Sequence, residues 1–299
     1  MLSHYVNGAV ETIEAAPAKI NLALHVTGQR EDGYHLLEML VTFTEAGDVL
    51  RISDADADRF SISGPFAQAL KHADPASNLV LKALDLLRAH LQECDIATPP
   101  VSIHLEKSLP IASGIGGGSA DAAATLRGLI RHWNVQVDSD SLGEMALKLG
   151  ADVPMCLAST PLIARGIGEE LTLLPNFPQL SLVLVNPLQA VSTPAIFRLL
   201  ESKNNAPLPA LADDNWLSML GALRNDLQPP AMRLLPQIQD VLSLLEANGA
   251  EFVRMSGSGA TCFGLFASWE QAQAAAARLR EQQPEWYVQE TTTIARQGS

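Results

Sequence analysis

The sequence has few cysteines and few basic residues. Three widely spaced cysteines occur among 299 residues, so the pattern predicts neither a disulfide framework nor a cysteine metal cluster, and it favours a reducing cytoplasm. The 20 basic residues against 33 acidic ones give a net charge of −13, which argues against nucleic acid as a partner. A small anionic ligand is compatible with this charge, because a few local donors can hold a phosphate group while distant charges are screened.

Long apolar runs are also missing. The run at 180–185 is too short to span a bilayer, and residues 1–20 lack the basic and apolar segments of a secretory signal. We therefore expect no membrane partner. Hydrophobic residues make up 47% of the chain and charged residues 18%, which is typical of a globular protein. The length allows one large domain or two ordinary ones.

The periodicity predicts an α+β architecture. Alternating apolar residues predict a half-buried strand over 20–26, with Lys19, Asn21 and His25 on a solvated face. Strands and helices do not alternate strictly, so a doubly wound sheet is disfavoured, and we divide the chain near residue 160. Further strands are predicted at 36–43, 49–52, 60–62, 101–105, 180–185, 252–255 and 262–266, and helices at 78–91, from Ser119 onward, and at 141–149, 215–225, 231–247 and 269–282.

Residues 109–126, LPIASGIGGGSADAAATL, place four glycines in five positions between a predicted strand and a predicted helix. Such a connection directs free backbone N–H groups at an anion, and the helix dipole adds to their effect. No lysine follows the glycines as a P-loop requires, and Ser119 stands where a dinucleotide fingerprint needs glycine. The pattern favours a phosphate-binding loop of a third kind. A tight connection that lets the helix pack closely would use the same small residues.

Several polar residues are compatible with two roles each. Ser119 can cap the helix, or it can contact a phosphate or a metal ion. Asp121 suits the helix dipole but lies close to an incoming anion, which favours Mg²⁺ between the two. Asp152 can cap a following short helix, and the tip at 256–259 can be a plain turn or can close over a phosphate.

Taken together, these stretches resemble the three signature motifs of the GHMP kinases. The resemblance rests on residues 17–22, 28–35, 109–124, 149–154, 186–187, 193–197 and 254–260, which follow one another in order along almost the whole chain. It implies a two-domain α+β fold: a ribosomal-protein-S5-like, ATP-binding N-terminal domain over residues 1–160 and a ferredoxin-like C-terminal domain over residues 161–299. The substrate cleft would lie between them.

The sequence Gly-Tyr-His at 33–35 resembles the branch of this family whose substrate is a cytidine diphosphate-linked methylerythritol. The implied activity is the transfer of the ATP γ-phosphoryl group, with Mg²⁺, to the 2-hydroxyl of that substrate in isoprenoid precursor biosynthesis. Asp152 would be the base, and Lys19 would keep it ionised and neutralise charge on the transferred group. The oligomeric state is left open between a monomer and a homodimer.

The same resemblance implies the binding residues. Tyr34 and Phe197 would enclose the base, and His35 would hydrogen-bond its edge. The expected sites are, for ATP, Pro110, Ile111, Ala112, Ser113, Gly114, Ile115, Gly116, Gly117, Gly118, Ser119 and Ala120; for the substrate, Asn21, Tyr34, His35, Thr193 and Phe197; and for closure over the phosphate, Ser256, Gly257, Ser258 and Gly259. The ligands of a metal ion stay unassigned, with Ser119 as a candidate.

Two alternatives remain. The chain can be another small-molecule kinase of the family, of the homoserine or mevalonate type, or a catalytically silent binding protein on the same fold. The aromatic residues Tyr34, His35 and Phe197 argue against the first, since those substrates have no base to stack. The presence of both Lys19 and Asp152 argues against the second.

Overall fold

The computed structural model describes residues 3–6, 9–71, 77–210 and 216–294. The chain forms two compact units, which are described separately below. Unit 1 comprises Met1–Ala18, Gly47–Ile111 and Gly117–Ala158, and unit 2 comprises Lys19–Ala46, Ala112–Gly116 and Ser159–Ser299.

Two long strands, β2 and β3, contribute residues to both units. The strands are β1 (Ser3–Val6), β2 (Ala9–Gln29), β3 (His35–Asp54), β4 (Arg59–Ser63), β5 (Val101–Glu106), β6 (Leu162–Gly166), β7 (Glu170–Leu173), β8 (Ser181–Asn186), β9 (Phe252–Met255), β10 (Cys262–Phe266) and β11 (Tyr287–Thr292). The helices are α1 (Ala67–Lys71), α2 (Leu79–Glu93), α3 (Gly117–His132), α4 (Ser139–Leu149), α5 (Val153–Ala158), α6 (Thr193–Arg198), α7 (Trp216–Ala222), α8 (Gln228–Leu234), α9 (Gln237–Ala247) and α10 (Trp269–Gln282).

Unit 1 combines a sheet with a helical layer centred on α3. The strand order is β1-β2-β3-β5-β4, in which β5 is antiparallel to β3 and parallel to β4. Helix α3 packs against α2 and α5. Its buried side includes Ala122, Ala123, Leu126 and Leu129, which are fully buried. These small and aliphatic side chains let the helices approach closely, so the chain that leads into α3 is attached to a closely packed layer.

Unit 2 contains a four-stranded antiparallel sheet in the order β11-β8-β10-β9. Helices α9 and α10 pack against this sheet. Strand β8 is buried from Leu182 to Asn186, which explains why its sequence reads as a continuous apolar run. In the same unit, β3 pairs with β6 from Leu37 to Val41, and β6 pairs with β7.

The structure confirms the α+β class and most of the predicted elements, with three corrections. The strands predicted at 36–43 and 49–52 form one strand, β3. The helix predicted at 231–247 is two helices, because Pro236 lacks an N–H and disfavours helical geometry at Leu235. Ser119 does not cap α3, which already begins at Gly117. The division of the chain near residue 160 stays a prediction.

The three cysteines, all within the described ranges, are free thiols. Cys94 is exposed, and Cys156 and Cys262 are buried. A search of the described residues finds no helix that is both long enough and apolar enough to cross a membrane.

Two glycines of unit 1 provide a matched pair of substitutions. A Cβ on Gly47, within β3, would lie 2.4 Å from the carbonyl oxygen of Ala16, whereas nothing lies within 4 Å of a Cβ on Gly143 in α4. We expect Gly47→Ala to lower the free energy of unfolding by about 1–3 kcal/mol, because backbone must move. Gly143→Ala should raise it by about 1 kcal/mol, because alanine favours the helix. Urea unfolding measures both, and equal effects would contradict the packing described for Gly47.

Candidate functional site

The polar side of β2 is buried, so the prediction of a solvated strand face is wrong. Lys19, Asn21 and His25 are 4%, 1% and 1% exposed. Lys19 Nζ donates a hydrogen bond to Asn21 Oδ1 at 3.1 Å. Burying a lysine and an asparagine is costly unless their polar atoms are bonded. Asn21 Nδ2 is buried without a hydrogen-bond partner among the described residues, whereas other groups on this face of β2 bond to specific partners.

The glycine-rich loop is one of these partners. The backbone N–H of Lys19 donates to the carbonyl of Ile115 at 2.9 Å. Gly116 has a φ of +64°, and a Cβ there would lie 3.1 Å from Lys19 Cε. The absence of a side chain at Gly116 therefore lets the loop pass directly against the lysine.

The hydroxyl of Ser256 connects the loop to β2. Its Oγ donates to the carbonyl of Gly114 at 3.0 Å and accepts from the backbone N–H of Asn21 at 3.1 Å. Nearby, the N–H of Thr261 donates to the carbonyl of Ser113 at 3.1 Å. The structure thus brings together, within unit 2, three stretches that the sequence keeps far apart.

Two further bonds hold the tip at 256–259. The side-chain amide of Asn225 donates to the carbonyls of Met255 and Gly257, each at 2.8 Å. The hydroxyls of Thr193 and Ser258 lie 2.7 Å apart, so two residues predicted to bind substrate and phosphate are in contact. Asn225 has no role in the sequence analysis, because no local pattern distinguishes it.

Arg254 also went unassigned, although it belongs to the motif that ends at residue 260. Its guanidinium donates to the carbonyls of Leu22 on β2 and of Leu220 and Leu223. It lies over the ring of Phe252, 4.5 Å from the centroid. Burial lowers the pKa of Arg254 to about 10, which leaves it charged at neutral pH. Arg254 thus links β9 to the strand that carries Lys19 and Asn21.

Of the three aromatic residues predicted to bind a base, two are in contact and the third is exposed. The rings of His35 and Phe197 stack with centroids 4.4 Å apart and planes 24° from parallel. Tyr34 is 60% exposed. Phe197 is half-buried, and the fully buried residue of α6 is Ile196, so Phe197 is not the core residue of this helix.

One nitrogen of the His35 ring has an unused hydrogen-bonding capacity. Its Nε2 is shielded from solvent and has no hydrogen-bond partner among the described residues. Burial, together with the charge of Lys203, lowers the pKa of His35, which favours the neutral ring. A neutral imidazole offers one donor and one acceptor, as the recognition of a base edge requires.

The other half of the glycine-rich segment belongs to unit 1. Pro110 is buried and Ile111 is exposed, and helix α3 begins at Gly117. Gly118 and Ser119 follow in the first turn, where backbone N–H groups have no partner within the helix. Of the remaining predicted ATP residues, Ala120 is buried in α3, Ser113 and Ile115 are buried in the loop of unit 2, and Ala112 there has a φ of +50°.

A buried ion triad in unit 1 was missed by the sequence analysis. Lys107 Nζ donates to Asp48 Oδ2 at 2.5 Å and to Asp121 Oδ2 at 2.6 Å, and all three side chains are at most 4% exposed. Burial lowers the pKa of Lys107, but the two carboxylates outweigh it and raise that pKa overall. Burial, with the charge of Asp48, raises the pKa of Asp121 to about 7. Asp121 therefore faces a lysine, which removes the need for Mg²⁺ beside it.

The proposed base lies at the start of a short helix in unit 1. Asp152 is half-buried and directly precedes α5, and its carbonyl accepts from the N–H of Cys156 at 3.1 Å. Arg127 on α3 donates to the carbonyl of Cys156 at 2.8 Å. Helix α3 thus supports the helix that follows Asp152.

We expect Ser256→Ala to destabilise the chain by about 1–3 kcal/mol, because it leaves the buried N–H of Asn21 without a partner. The matched control Ser139→Ala, at an exposed position of α4, should change the free energy of unfolding by no more than about 0.5 kcal/mol. Chemical unfolding measures both. A cost for Ser256→Ala no larger than the control would contradict the connecting role of this hydroxyl.

His25 predicts a loss of stability in acid. Its Nδ1 donates to the carbonyl of Ala206 at 3.1 Å, and its Nε2 accepts from the N–H of Arg224 at 3.3 Å, which requires the neutral ring. Burial and Arg224 lower the pKa of His25 below 6.5. The unfolded chain then binds the proton more readily, so the free energy of unfolding should fall as the pH drops below about 6.5. His25→Asn should weaken this dependence relative to the control His90→Asn, and identical pH profiles would contradict it.

Comparison with known proteins gives two family matches. A family model described as "GHMP kinases N terminal domain" matches residues 78–160, and one described as "GHMP kinases C terminal" matches residues 194–285. A solved structure of 4-(cytidine 5'-diphospho)-2C-methyl-D-erythritol kinase is 33% identical, with a TM-score of 0.77, over 94% of this chain and 98% of that one. Homoserine kinase from Cytophaga hutchinsonii shares the fold, with 18% identity and a TM-score of 0.68 over 99% and 97% of the two chains.

Curated relatives match over nearly the full length. A protein of Agrobacterium fabrum named 4-diphosphocytidyl-2-C-methyl-D-erythritol kinase is 60% identical over 98% of this chain and 100% of its own length. One of the same name from Rhizobium meliloti is 57% identical over 95% and 96% of the two chains. With both family models matched and this identity along the whole chain, the protein belongs to the GHMP kinases.

Proposed function

We propose that this ATP-dependent kinase phosphorylates the 2-hydroxyl of 4-diphosphocytidyl-2-C-methyl-D-erythritol and releases ADP, a step of isoprenoid precursor biosynthesis. The observation that carries the proposal is the 60% identity, over 98% of this chain, to a relative named for that substrate. The stacked rings of His35 and Phe197 support it, because a pyrimidine binds by stacking and by hydrogen bonds to its edge.

Asp152 is the proposed general base. A tertiary alcohol is a weak nucleophile, so a base must accept its proton as the phosphorus is attacked. The bond from the 2-oxygen to the γ-phosphorus forms, the bond from that phosphorus to the bridging oxygen of ADP breaks, and the hydroxyl proton passes to the Asp152 carboxylate. Lys19 supplies positive charge to the transferred group, and its bond to Asn21 Oδ1 holds the ammonium in place.

The glycine-rich segment at 110–120 is the proposed phosphate site. Its residues Gly117 and Gly118 begin α3, where free backbone N–H groups and the helix dipole favour an anion. The tip at 256–259 closes over the phosphates, and Tyr34, His35, Thr193 and Phe197 bind the acceptor. These roles complete the assignment of the predicted site residues.

Mg²⁺ would accompany the nucleotide. This ion keeps several waters and is bound by substrate phosphates with one or two protein oxygens rather than by a cage of carboxylates. Ser119 offers an oxygen of that kind, because it carries a hydroxyl in the first turn of α3 and is half-buried. We assign the hydroxyl of Ser119 as its protein oxygen. When bound, the ion neutralises charge on the β- and γ-phosphates.

The test measures ADP release with ATP, Mg²⁺ and 4-diphosphocytidyl-2-C-methyl-D-erythritol. We expect substrate-dependent turnover by the wild type and a loss on the order of 100-fold or more in Asp152→Asn, because the proton has no acceptor. Asp85→Asn, at an exposed position of α2, is the matched control and should keep wild-type turnover.

The other outcomes identify which part of the proposal fails. Full activity in Asp152→Asn would exclude this base while keeping the kinase. Turnover with homoserine or mevalonate, and none with the cytidine compound, would mean that the family is right and the acceptor wrong. A wild type that binds ATP but phosphorylates none of the three would exclude the proposed reaction.

A further inference from the structure

The buried triad of Lys107, Asp48 and Asp121 touches both ends of the glycine-rich segment. We propose that Lys107 is a positioning residue for ATP. Through the two aspartates, Lys107 holds the two ends of the phosphate-binding loop in place. This inference rests on the proposed function, because it requires the loop to bind the nucleotide.

The start of the loop is fixed by Asp48. Its Oδ1 accepts the backbone N–H groups of Ser108 and Leu109, at 2.6 and 2.8 Å, directly after β5. Its Oδ2 accepts from Lys107 Nζ at 2.5 Å. A carboxylate that accepts two successive backbone N–H groups and an ammonium leaves the chain little freedom where it turns toward Pro110.

The end of the loop is fixed by Asp121 on α3. Its Oδ2 accepts from the same ammonium at 2.6 Å. A Cβ on Gly117 would lie 3.2 Å from Lys107 Nζ, so the ammonium lies against the first residue of the helix. One cation thus connects the chain before the loop to the helix after it.

The free-energy cost of burying three charged side chains indicates that the triad has a function other than stability. Removing charges from water is expensive, and replacing a buried ion network by well-packed apolar residues is often neutral or stabilising. Here the carboxylates exceed the cations, and Asp121 Oδ1 is buried with no hydrogen-bond partner among the described residues. Backbone donors bind a phosphate best when they are already oriented before it arrives, and a triad that holds both ends of the loop provides that orientation.

The experiment must separate positioning from folding, because Lys107→Met leaves two buried carboxylates unpaired and can prevent folding. A charge-free triple variant, Lys107→Met with Asp48→Asn and Asp121→Leu, avoids this: the asparagine oxygen can still accept from Ser108 and Leu109. The single variants Asp121→Leu and Asp121→Asn complete the set, and Lys82→Met on the exposed side of α2 is the control.

ADP binding without acceptor, measured by calorimetry, is the main readout, with the KM for ATP and for the acceptor alongside. We expect the triple variant to fold with an unchanged or higher Tm. It should bind ADP about 10- to 100-fold more weakly, because loop donors are misplaced. The KM for the acceptor should stay within about twofold. Asp121→Leu should lose more ADP affinity than Asp121→Asn, whose amide oxygen can still accept from Lys107.

A folded triple variant with wild-type ADP affinity would overturn the proposal and make the triad a purely structural feature. An equal rise in the KM of the acceptor would also overturn it, since the defect would then not be confined to the nucleotide. If the wild type bound ADP but used another acceptor, the proposed reaction would fail while this inference stood. If the wild type bound no adenine nucleotide, the proposed function and this inference would both fail.

Discussion

The hydroxyl of Ser256 is the contact on which the arrangement of unit 2 depends. It accepts from the backbone of Asn21 and donates to the backbone of Gly114, so one side chain joins β2, the glycine-rich loop and the tip at 256–259. Arg254 and Asn225 act in the same way, because their side chains also bond to backbone carbonyls rather than to other side chains. Backbone groups cannot be replaced by mutation, so the geometry of this region rests on a few side chains that each bond to more than one backbone group.

The sequence predicted most of the helices and central strands and the order of the motifs, but not β1, β6, β7, β11 or α1, and not what covers the predicted elements. Alternation at 20–26 located β2 and its apolar side, whereas the burial of Lys19 depends on Ile115 and Ser256, which are far away in the chain. Periodicity carries no information about partners at that distance. Local chemistry is decisive at Pro236, since a proline inside a helical pattern indicates a break, and α8 and α9 are separated there.

The ion triad shows the same limit for charged residues. Lys107 and Asp121 are 14 positions apart and Lys107 and Asp48 are 59 apart, so no spacing rule for helices or strands connects them. Asp121 alone suggested a metal ion, because a carboxylate at the start of a helix seemed to oppose a phosphate. The positive charge that pairs with Asp121 belongs to Lys107, which precedes the loop in the chain. The pairing depends on the folded chain, in which both ends of the loop lie beside the ammonium of Lys107.

The cysteines give the chain a built-in labelling site. Cys94 caps the end of α2 and is exposed, whereas Cys156 and Cys262 are buried. Burial raises the pKa of Cys262 far above its usual value, which suppresses the thiolate that reacts with electrophiles. A maleimide dye or spin label added to the unmodified protein should therefore attach at one position. Spectroscopy could then follow the end of α2 without any engineered cysteine.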